Sequence, residues 1–157
     1  MRVDVVSRPA EIDGGVEQIE LDPVVTVPEW PRVVVQAVDL AQHAAEKLHA
    51  LSQMYAHPRP STRVKDLVDL VLLIDSGALD ERRLRDRVAA VFTARGGHVA
   101  VSGLPDPPAA WRAGYAELAG ALNLPQDDVD VAFADVAALF ARLIPPTTSA
   151  TTEEPHL

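Results

Sequence analysis

Cysteine is missing from all 157 residues, so neither a disulfide framework nor cysteine-ligated zinc is available. Aromatic residues are also scarce, at 4%. No apolar run approaches the roughly 20 residues that span a bilayer, and the start, MRVDVVSRPAE, lacks the basic and apolar blocks of a signal peptide. A soluble cytoplasmic protein is therefore expected. Positive charge is in deficit, with 14 Lys+Arg against 23 Asp+Glu and a net charge of −9. That balance argues against sequence-blind binding along nucleic acid, which relies on clustered cations. What is present in quantity is aliphatic: hydrophobic residues make up 48% of the chain, enough to bury a core and to exclude wholesale disorder.

The first 36 residues hold short β-branched runs: Val3, Val5 and Val6; Ile19 and Leu21; Val24, Val25 and Val27; then Val33 to Val35. Pro9, Gly14, Gly15, Pro23, Pro28 and Pro31 punctuate them, a pattern of strands and turns. So few strands cannot bury both faces of a sheet. From about residue 38 the period changes. Ala41, Ala44, Leu48, Leu51 and Tyr55 form one helical stripe with Asp39 as N-cap, stopped by HPRP at 57–60. Ser61 or Thr62 is placed to cap a second helix, RVKDLVDLVLLI, ending near Gly77. A third, from Asp80 to Arg95, buries Leu84, Val88, Val91 and Phe92 and stops at Gly96-Gly97. Trp111, Tyr115, Leu118 and Leu122 make a fourth stripe; Val129, Phe133, Val136, Phe140 and Leu143 make a fifth, capped by Asp127 or Asp128. The expected fold is α+β: a β portion over 1–36, a bundle of five helices over 37–145, and a polar, disordered tail over 146–157.

The second helix is the informative one. Its apolar residues run nearly all round, which marks a buried helix, yet Lys65, Asp66 and Asp69 sit among them and need partners or a polar cavity. Asp66 and Asp69 are neighbours on one face. They either line a solvent edge and pair with arginines or face a cleft. On the first helix Lys47 borders the apolar stripe, where its ammonium either snorkels to water or reaches an anion such as a phosphate. Residues 81–95 carry five arginines, Arg82, Arg83, Arg85, Arg87 and Arg95, against Glu81 and Asp86. In an acidic chain this is the place for a tRNA contact, although such a run is more often a solvated helix face. The histidines are scattered and support no zinc site.

AEKLHALSQ, then RVKDLVDLVLLI, then the Trp111–Tyr115 segment and LNLPQDDVDVAFADVAALF resemble the C-terminal part of the AbiEii/AbiGii toxin-like nucleotidyltransferases over about residues 30–145. The resemblance implies that the early strands are the remnant of a polymerase-β-like nucleotidyltransferase sheet preceding a helical region. It also implies a toxin of a toxin–antitoxin or phage-defence system that moves a nucleotide from a nucleoside triphosphate, with Mg²⁺, to an acceptor such as RNA. The site residues it implies are Lys47 on the nucleotide phosphates, and Arg63, Lys65, Asp66 and Asp69 as a late charged motif at the cleft. Alternation in RVDVV projects Asp4 from a strand, where it resembles the third of the family's metal-binding carboxylates.

The departures from that family are as informative. The glycine-rich turn and D-x-D that grip the triphosphate and metal should precede Asp4, and Gly14-Gly15, followed by Val16 and Glu17, does not replace them. Two Mg²⁺ ions roughly 4 Å apart need several carboxylates. One strand carboxylate is too few. The expectation is a truncated nucleotidyltransferase, inactive alone, arising as a natural remnant, from an internal start or as half of a split protein. The alternative is a non-catalytic helical protein that binds an antitoxin or another protein partner.

Overall fold

The computed structural model describes residues 16–21, 32–53, 63–95 and 103–144. Two strands open it, β1 (Val16–Leu21) and β2 (Val33–Val38), paired antiparallel from Val16 opposite Val38 to Leu21 opposite Val33. Five helices follow: α1 (Leu40–Ser52), α2 (Val64–Asp75), α3 (Glu81–Ala94), α4 (Trp111–Leu122) and α5 (Val129–Leu143). The fold is α+β. The runs at 3–6 and 24–27, the HPRP stop, the Ser61 or Thr62 cap, the Gly96-Gly97 stop and the tail lie outside the described residues.

Three helices begin where a short acidic side chain can satisfy the free backbone N–H groups of the first turn. Asp39 Oδ1 accepts from Gln42 N at 3.0 Å, and Asp80 Oδ1 accepts from Arg82 N and Arg83 N. Asp128, rather than Asp127, caps α5 through Asp130 N and Val131 N. Gly77, at φ +64°, closes α2, a left-handed turn that glycine adopts without penalty. Asn123 does the same after α4.

The helices enclose one core. α1 packs on α2 and α3, while α2 also meets α4 and α5. Ala44, Leu48, Leu67, Leu70, Leu84, Val91, Phe92, Tyr115 and Val136 are fully enclosed. Two expectations need correction. α4 turns Ala119 inward and leaves Leu122, the last residue of the helix, 47% exposed. α2 is not buried all round: Lys65, Leu72 and Asp75 face solvent, Asp66, Leu67, Val68, Leu70 and Val71 are buried, and the half-buried Val64, Leu73 and Ile74 pack against the core from its flanks.

Candidate functional site

Lys47 lies on the solvent border of α1, between the enclosed Ala44 and Leu48 and the exterior. α1 and α2 pack directly on each other, and that packing brings the Lys47 side chain over the first turns of α2. Lys47 Nζ donates to Asp66 Oδ1 at 2.7 Å and stands 2.7 Å from Asp69 Oδ2. Arg63, at the α2 N-terminus, donates from Nη1 to Asp66 Oδ2 at 3.2 Å. The four groups form one contiguous chain, Arg63–Asp66–Lys47–Asp69, and their formal charges cancel.

Their burial differs. The Asp66 side chain is 12% exposed and that of Asp69 38%. Partial burial of Lys47 disfavours its charge, but the hydrogen bonds that it donates to Asp66 and Asp69, with the attraction of their negative charges, outweigh that effect and hold its pKa above the ordinary lysine value. Lys47 therefore stays an ammonium across the neutral range. Lys65, named with this group from the sequence, is exposed and forms no ion pair among the described residues. Asp4 lies outside the described residues.

On the other side of α1, His49 is buried with its ring edge-on to Phe92 of α3, centroids 5.0 Å apart. Burial first, then the nearby Arg95 and Arg63 charges, push its pKa below the usual histidine value, so it packs as a neutral ring. At the start of α1, buried Asp39 also pairs with Arg83. Nothing local in the sequence marks that contact, since it joins an N-cap to a side chain on another helix. The arginine-rich segment is thus partly spoken for. Arg83 meets Asp39, and Glu81 accepts from Arg142 at 2.8 Å, leaving Arg82, Arg85 and Arg95 exposed on α3 and its C-terminal cap.

Whether these residues could hold a divalent ion depends on free carboxylate oxygens. Asp66 and Asp69 already face an ammonium and, for Asp66, a guanidinium, and among the described residues no three His, Asp or Glu side chains converge on a metal position. The described cluster does not fit a metal. What it presents is an ammonium and a guanidinium, each held beside a carboxylate.

The family model described as nucleotidyl transferase AbiEii toxin, type IV toxin–antitoxin system, matches residues 1–142. The chain belongs to the AbiEii nucleotidyltransferase toxin family. No curated protein matches it. Membership spans the β-ribbon and all five helices, so the Lys47–Asp66–Asp69 cluster lies within the matched region. None of the described helices is long and apolar enough to cross a membrane.

Proposed function

We propose that this AbiEii-family chain contributes the phosphate-gripping helices of a cytoplasmic nucleotidyltransferase toxin, which moves a nucleotide from a nucleoside triphosphate to an acceptor such as RNA, tRNA in particular. The observation that carries this reading is the placement of Lys47 Nζ 2.7 Å from both Asp66 and Asp69. Nucleotide transfer asks little covalent chemistry of the protein. It depends on positioning and on neutralising charge that builds on the phosphates. Lys47 and Arg63 supply that charge, the more enclosed Asp66 aims Lys47, and Lys65 is a further cation that forms no ion pair among the described residues.

The reading also accounts for what the cluster does not supply. Metal-assisted transfer by Mg²⁺ requires strand carboxylates, of which only Asp4 is identified in this sequence, so we expect the isolated chain to be inactive and a completing segment or partner chain to restore transfer. A second reading has an observation of its own. The four charges satisfy one another, as they would in a purely structural network of a non-catalytic protein that binds an antitoxin. Incubation with labelled nucleoside triphosphates and total RNA separates the two. On the first reading, label passes to RNA only when the completing segment is present, and Lys47→Ala abolishes it. Transfer by the completed protein that Lys47→Ala leaves untouched excludes the first reading.

A further inference from the structure

The two carboxylates that flank Lys47 are not equivalent. Asp66 is the more enclosed and is held twice, by Lys47 and by Arg63. Asp69 is the more exposed and, among the described residues, is held by Lys47 alone. Lys47 and Arg63 against Asp66 and Asp69 leave no net charge. A polyphosphate approaching from solvent therefore gains little Coulomb attraction until one carboxylate gives way. Displacing Asp66 would break two contacts at once, with Lys47 and with Arg63, and uncover a largely buried carboxylate, which is the costly choice. Displacing Asp69 releases a half-exposed pair of the kind that contributes little.

We propose that Asp69 is an exchangeable counter-ion: a polyphosphate takes its place on Lys47, while Asp66 stays bound and keeps the ammonium aimed. This rests on the reading of Lys47 as the phosphate-binding cation. It makes an unusual demand on sign. Neutralising Asp69 should tighten polyphosphate binding, because the ammonium no longer has a competitor to release. A residue that aids binding by contacting or orienting the ligand would show the opposite.

Calorimetric titration of the full chain with inorganic tripolyphosphate, in EDTA so that no metal intervenes, tests both levels. Asp69→Asn is expected to bind tighter than the unsubstituted protein, by up to about fivefold, the range set by loss of one exposed ion pair. Asp69→Ser should change in the same direction, which guards against an effect peculiar to asparagine. Asp75→Asn removes the same charge from the exposed end of the same helix and should leave affinity unchanged. Lys47→Ala should lose binding. If Lys47→Ala loses binding while Asp69→Asn is unchanged or weaker, the exchange is wrong and the phosphate-binding role of Lys47 stands. Equal tightening by Asp75→Asn also overturns the exchange, since general charge then explains the gain. Tripolyphosphate binding that is unaffected by Lys47→Ala, or absent from both the unsubstituted protein and Asp69→Asn, overturns exchange and phosphate role together.

Discussion

The helices and the β-ribbon handle their apolar residues in opposite ways. In the helical part, nearly every large aliphatic or aromatic side chain on an inward stripe is enclosed, from Leu48 on α1 to Leu143 on α5. In the ribbon, Val33 is 59% and Val34 57% exposed although successive residues point to opposite faces, so both faces of β2 carry uncovered valine. The helices have partners on several sides, whereas the strands pair chiefly with each other. The charged cluster belongs to the first kind of region. Lys47 and Asp66 ride on helices whose inward faces are locked by Leu48, Leu67 and Leu70, so core packing brings the two side chains within reach and the ion pair closes the 2.7 Å contact.

The sharpest way to break this contrast is to open the helical core. Phe92 is fully buried, meets His49 edge-on and lies 6.0 Å from the Phe140 ring. Phe92→Ala should cost about 3–5 kcal/mol, the usual range for emptying a large aromatic site in a helical core. Urea unfolding followed by circular dichroism at 222 nm measures it. A loss below about 1 kcal/mol, typical of surface positions, would mean that α1 and α3 are not packed as described.

A smaller effect should appear with pH through His49. Its pKa is lowered in the folded chain by burial and by Arg95 and Arg63, so the unfolded chain binds the proton more readily. This contribution to stability is fully present above the unfolded value near 6.5, declines as pH falls below it, and is gone once pH passes below the folded pKa. Urea midpoints between pH 7.5 and 5 should therefore fall, and His49→Gln should flatten that part of the slope. An unchanged slope in His49→Gln would place the titration elsewhere. Lys47 has the reverse sign: its pKa is raised, so its contribution is present below about 10.4 and is lost as pH climbs through the folded value.

Much of the helical part was readable because helix periodicity and capping are local. Asp39 and Asp80 announce helix starts through side chains that reach only two or three residues forward, and the Leu84–Val88–Val91–Phe92 stripe is set by helix pitch alone. The apolar stripe of α4 includes Leu122, yet that residue is exposed, because hydrophobicity says which face tends inward and not where along the helix the cover ends. The cluster was half legible. Charges set in an apolar helix signalled a need for partners, and a lysine beside a packed stripe was a candidate, but the contact spans 19 residues and a change of helix. Its geometry depends on how α1 and α2 cross, which no pattern within either helix contains. Lys65 shows the same limit. Sequence proximity grouped it with Asp66 and Asp69, while the helix turns it to solvent.

The smallest expected effect belongs to the ribbon and probes the contrast from its other side. Val34 faces solvent on β2, and valine and threonine share shape and β-branching but differ by a methyl-for-hydroxyl exchange. In a covered site that exchange strands a polar group and costs roughly 1–3 kcal/mol; in an open one it is nearly free. Val34→Thr should therefore shift the unfolding midpoint by no more than about 0.5 kcal/mol equivalent. Leu67→Thr, at a position with no exposure on α2, gives the scale of a buried response in the same assay. A loss above about 1 kcal/mol for Val34→Thr would show that this face is covered in solution, and the contrast between an enclosed helical core and an open ribbon would then fail at β2.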